Sequence, residues 1–92
     1  MNGNALNQYV AEVVVSLKDT VNDPQGVTAA KSLQSIGFGG IKAIRIGKFV
    51  EVKLTAESEE AAYEFVRQMC EEMFANPVIE QYRIDLRSNS TG

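Results

Sequence analysis

The order of elements legible in these 92 residues predicts an α+β fold: a single-domain two-layer sandwich, β-α-β-β-α-β, with two helices on one face of a four-stranded antiparallel sheet. Four stretches alternate apolar and polar residues with a period of two. Two others repeat apolar residues every three or four. Glycine, proline and aspartate punctuate the joins between them.

The first strand is Tyr9–Lys18. Ala11, Val13, Val15 and Leu17 alternate there with Val10, Glu12, Val14 and Ser16, and the β-branched content suits a pleated surface. Val10 and Val14 make the second face partly apolar. Residues 1–8, which precede it, are polar and read as a flexible N-terminus. Asp19–Asp23 is a loop, and Asp23-Pro24 marks a helix start, an acidic N-cap followed by proline at the first helical position. Val27, Ala30, Leu33 and Ile36 form one helical stripe, which Gly37 ends in the left-handed conformation. Phe38-Gly39-Gly40 connects to two strands, Ile41–Ile46 and Phe49–Thr55. Gly47-Lys48 lies between them as a two-residue hairpin turn, with glycine supplying positive φ. Val50, Val52 and Leu54 share one face, opposite Glu51 and Lys53.

Ser58 caps a second helix, with Glu59 and Glu60 in its first turn. Ala62, Phe65, Val66, Met69, Met73 and Phe74 form its buried stripe; Glu64, Arg67, Gln68, Glu71 and Glu72 form its solvated side. Asn76-Pro77 ends it, since the residue before proline avoids helical geometry. Val78–Arg87 is the last strand, with Tyr82, Ile84 and Leu86 opposite Arg83, Asp85 and Arg87. Residues 88–92 read as a disordered tail. The whole order is that of ferredoxin-like folds.

A chain of this size buries roughly 60–70% of its unfolded surface, enough for one modest core and not for a deep cleft as well. Association with a second copy would bury further apolar surface, so the chain is expected to be a homodimer or a higher homo-oligomer. Net charge is −3, which argues against nucleic-acid binding. No apolar run reaches the roughly 20 residues of a membrane span. One cysteine, Cys70, excludes an internal disulfide and fits a reducing, cytoplasmic setting. Histidine is absent, which excludes a Cys/His metal site and any histidine-dependent triad within one chain.

Other candidate chemistry has a plain structural reading. Glu57, Glu59 and Glu60 complement a helix dipole. Gly37-Phe38-Gly39-Gly40 follows a helix, whereas phosphate loops precede one. Phe38 and Phe49 lack the glycine-aromatic pattern of an RNA-binding sheet. Arg45 and Lys48 flank the expected turn and could hold an anion or an acidic partner. No catalytic, metal or cofactor-binding residue is assigned.

Three stretches carry a resemblance: Val21-Asn22-Asp23-Pro24-Gln25-Gly26, Ile44-Arg45-Ile46-Gly47-Lys48, and CEEMFANPVIEQY from Cys70 to Tyr82. Their order and spacing over residues 9–87 resemble the PurS family, the small subunit of phosphoribosylformylglycinamidine synthase (formylglycinamide ribonucleotide amidotransferase). Met73-Phe74 stands where the family more often has two leucines. The resemblance implies a domain over 9–87 and a non-catalytic, cytoplasmic role in de novo purine biosynthesis. In that role the chain bridges a glutaminase subunit and a large synthetase subunit as a dimer and supports ammonia transfer. Glutamine, ATP and Mg would be used by those partners, in a carbon-nitrogen ligase complex, with no cofactor on this chain. Expected contact residues are Asp23, Pro24, Arg45, Gly47, Lys48, Asn76 and Pro77. The competing expectation is a free-standing ferredoxin-like regulatory module that binds a small molecule.

Overall fold

The structure, a computed structural model, describes residues 6–89. Its elements are β1 (Asn7–Leu17), α1 (Pro24–Ser35), β2 (Lys48–Ala56), α2 (Glu59–Met69) and β3 (Glu80–Ser88), with a π-helical turn at Cys70–Phe74 between α2 and β3. β1 begins at Asn7, and β3 runs through Ser88. Asn89 donates its N–H to the Gln8 carbonyl at 2.8 Å. The rest of the two expected flexible ends, residues 1–5 and 90–92, lies outside the described residues.

β1 is the centre of an antiparallel sheet with strand order β2-β1-β3. The register sets Val13 between Val50 and Ile84, and Ala11 between Val52 and Leu86. These residues share one face because side chains alternate along a strand. α2 covers that face with Ala62, Val66 and Cys70, one helical turn apart. Ala11, Val13, Val15, Val66, Cys70 and Ala75 form the buried centre. Tyr9, Ala56 and Ala62 close its other end.

The opposite face is polar. Glu12 lies between Glu51 and Asp85, and Arg87 relieves that acidic row by pairing with Glu12 at 3.1 Å. Val10, read as an apolar atom on this open face, is only 2% exposed. Lys53 and Arg87 flank it in the register, and their aliphatic stems suit its cover.

The structure departs from the expectations in three regions. The described sheet has three strands; residues 41–46, expected as a further strand, pair with no strand among the described residues. Gly47 does not take the positive φ expected of the hairpin turn: Gly37, at φ 115°, is the only described residue with positive φ. Glycine is required at 47 for another reason. A Cβ there would stand 2.3 Å from the Val15 carbonyl oxygen.

The second correction concerns α1. Only α2 lies on the sheet. α1 and the returning segment project from the end of it as an arm, and α1 makes no extensive contact with any strand. The radius of gyration, 17.9 Å, reflects this; a compact chain of this length has roughly 12 Å. Within the arm, local chemistry is as expected. Pro24 opens α1, and Asp23 caps it. At its end the Gly37 N–H bonds to Gln34 O and the Phe38 N–H to Leu33 O, the paired bonds of a Schellman motif.

The third correction concerns the buried stripe of α2. Phe65 and Met73 are exposed. The Ala75 N–H bonds to Cys70 O at 2.9 Å, an i to i+5 bond that widens the last turn. Cys70 points inward one regular turn after Val66; beyond it the extra residue shifts the phase, so Phe74 is half-buried and Met73 turns out.

Candidate functional site

The C-terminus of β1 and the N-termini of β2 and β3 meet at one end of the sheet, since Val15 pairs with Lys48 and Leu17 with Glu80. The loops at this end bring together all the expected contact residues. The Lys18 N–H bonds to Ile79 O, which ties the β1–α1 loop to the Asn76–Pro77 corner.

Asp23 is the hub of the arm's base. It is a buried carboxylate that accepts from Gly26 N at 2.9 Å and from Ile46 N at 2.9 Å. One contact caps α1; the other pins the returning segment 23 residues later. These two backbone bonds, more than the nearby Arg45 charge, hold its pKa below the usual carboxylate value of 3.8. Gly26 makes the close approach possible, because a Cβ there would lie 1.9 Å from the Ile44 carbonyl oxygen.

Arg45 donates to the Leu17 carbonyl and lies 3.9 Å from Asp19. It therefore has a structural task that the sequence reading did not assign: it fastens the arm to the end of β1. Lys48 is exposed and has no ion-pair partner among the described residues. Asp23, Pro24, Gly47 and Lys48 line one open cleft of about 350 Å³, with Glu80 on its far side.

The Asn76–Pro77 corner is locked by its own hydrogen bonds. The Asn76 side chain accepts from Val78 N at 3.1 Å, and its N–H donates to Glu80 Oε1 at 2.6 Å. What the corner presents was missed from sequence: Met73 and Val78 are 79% and 78% exposed. Val78, the first residue of the expected last strand, lies outside β3: it follows Asn76-Pro77 and precedes the first paired residue, Glu80. That spacing was the available signal.

Among the described residues no nucleophile is paired with a base. Cys70 is fully buried, and burial pushes its thiol pKa up, away from the reactive thiolate. The Tyr82 hydroxyl donates to Glu71 Oε2 at 2.7 Å, a bond that raises the phenol pKa. Ser58 accepts from Ala61 N at 3.0 Å, and Glu59 and Glu60 occupy the first turn beside it, as dipole partners. Among the described residues no three acidic, cysteine or histidine side chains gather as a metal site. No helix among them is long and apolar enough to cross a membrane.

Comparison with known proteins decides the family. Residues 10–88 match the family model described as PurS: phosphoribosylformylglycinamidine (FGAM) synthase. The chain belongs to the PurS family. It is similar to the phosphoribosylformylglycinamidine synthase subunit PurS of Bacillus subtilis, at 40% identity over 79 residues, 85% of this chain and 92% of the relative. The crystal structure of Bacillus subtilis PurS superposes with a TM-score of 0.78 at 38% identity, covering 86% of this chain and 98% of that one. A chain in the structure of PurLQS from Thermotoga maritima superposes with a TM-score of 0.77 at 33% identity, covering 88% and 96%. The protein is thus a subunit of the synthase, an enzyme of purine biosynthesis.

Proposed function

We propose that this chain is a non-catalytic bridge within the synthase. As a homodimer it joins the glutaminase subunit to the large ATP-dependent subunit and supports passage of ammonia between them, in the cytoplasm. Glutamine, ATP and Mg are handled by the partners. In the assembled protein, residues 41–46 supply the fourth strand of the sheet. The observation that carries this reading is the shape of the sheet's end: exposed apolar Met73 and Val78 stand on a hydrogen-bonded corner at the same end of the sheet as Lys48, with no nucleophile and base paired there among the described residues. Rigid exposed apolar groups beside a charge make an interaction surface, not a reaction centre.

Reconstitution with the two larger subunits tests it. Amidine formation from glutamine should require this chain, while formation from free ammonia should depend on it less. Arg45→Ala with Lys48→Ala should lower glutamine-dependent synthesis more than ammonia-dependent synthesis. Lys48→Ala alone separates partner contact from the arm's own fastening by Arg45. Equal glutamine-dependent turnover with and without the chain would sink the proposal.

A further inference from the structure

The face of the sheet that α2 leaves uncovered carries its charges in rows. Side chains alternate along a strand, so the register places Lys53, Val10 and Arg87 in one row across β2, β1 and β3. Glu51, Glu12 and Asp85 form the next row, and Phe49, Val14 and Arg83 the one after it. The first row is basic and the second acidic. With Arg83, the three strands set three cations against three anions on this face, so it is neutral as a whole and patterned within. Arg87 pairs with Glu12, and Arg83 lies 3.8 Å from Asp85. Glu51 and Lys53 on β2 are exposed and have no ion-pair partner among the described residues. Phe49, on the same strand and face, is 60% exposed.

This pattern is complementary to itself about one axis and not about another. A two-fold axis in the plane of the face and along the strands would lay β2 over β3 of a second copy. Lys53 would then meet Arg87 and Glu51 would meet Asp85, like charge on like. An axis across the strands, between the basic and acidic rows, lays β2 over β2 with its direction reversed. Lys53 then lies over Glu51 of the second copy and Arg87 over Asp85, and the symmetry repeats each contact. The exposed Phe49 falls over Thr55 of the second copy. We infer that the open faces of two sheets stack about the axis that crosses the strands. By ordinary strand spacing and rise the face is about 14 Å wide and about 27 Å long, roughly 400 Å² per copy. That is about half the 800 Å² per partner of a standard interface, so the stack is weak and its charges decide whether it forms. It uses neither α1 nor residues 41–46, and it goes beyond the homodimer of the bridging role.

Sedimentation of the full chain at about 0.01 M and about 1 M sodium chloride tests it, because the Debye length falls between them from about 30 Å to about 3 Å. The particle mass at low salt should be twice that at high salt. Lys53→Glu and Glu51→Lys each set like charges across the axis, and each should weaken the low-salt association at least about tenfold. The two substitutions together restore opposite charges across the axis and should restore the association. Mixing the two singly substituted chains should restore it as well, with the fold of each checked by circular dichroism. Single variants that associate like the parent, or a double variant that does not recover, overturn the stack. Stronger association by Lys53→Glu means the axis along the strands and overturns it too. A mass that ignores salt also overturns it: a dimer at both concentrations leaves the homodimer of the bridging role standing, and a monomer at both removes that as well. Reconstituted synthase that loses glutamine-dependent turnover with Lys53→Glu, while the free chain shows no salt-dependent mass, gives the face to another subunit and overturns the inference.

Discussion

The sheet with α2 and the arm with α1 are built from similar proportions of apolar residues, yet only the first keeps them from water. Val13, Val15, Val66 and Cys70 are essentially inaccessible, whereas Ile36, on the arm, is 70% exposed. Both helices have competent caps, so capping is not what separates them. The difference lies in partners. α2 returns to a sheet whose strands it follows directly, while α1 stands off the end of the sheet without extensive contact to any strand. A helix in a protein owes most of its stability to the surface it packs on. One half of this molecule is therefore stabilised internally, and the other half is arranged to be stabilised by contact.

The largest effect should come from the internally packed half. Val66→Ala removes two methyl groups from the centre of the core and leaves a cavity, at a cost of about 2 kcal/mol. Urea denaturation followed by circular dichroism should show the midpoint fall by the matching amount; an unchanged midpoint would mean the core is looser than its burial indicates.

The joint between the halves should respond to pH. The folded pKa of Asp23 is below its ordinary value, so its charged form stabilises the fold. That contribution is fully present above 3.8 and is lost as pH falls through the lower folded value. Asp23→Asn should therefore flatten the acid limb of a stability–pH curve measured by urea midpoints, with the two proteins converging at the most acidic end. Parallel acid limbs would show that Asp23 is not the group responsible.

The smallest effect on intrinsic stability should come from the arm. Ile36→Ser replaces an exposed side chain, and such changes usually stay within about 0.5 kcal/mol. The same substitution should weaken association as read by sedimentation. A stability loss as large as that of Val66→Ala would erase the distinction between the halves.

Legibility in the sequence follows the same division. Asp23 before Pro24, Ser58 before two glutamates, and Gly37 after a helical stripe act on neighbours within three or four residues, so each could be read in place. The alternation in β1, β2 and β3 was equally plain. Gly47 could not be read this way. Glycine permits both a turn and a close backbone approach, and the Val15 carbonyl that selects the second is more than 30 residues away. Asp23's second bond, to Ile46 N, is hidden for the same reason. The widened turn at Cys70 carries no mark in composition, yet it decides whether Met73 faces the core or solvent. Of the expected contact residues, placement at one end of the sheet follows from the strand register, whereas the tasks of Asp23 and Arg45 in fastening the arm required the coordinates.

The central position of β1 also sets a timetable for synthesis. Tyr9 pairs with Ser88, so the first strand meets that neighbour only after residue 88 has been translated. Until β3 leaves the ribosome, the most apolar strand of the molecule has one paired edge at most. Its open flank is available to other apolar surface during that time, and synonymous changes that slow translation between residues 56 and 80 would lengthen that exposure.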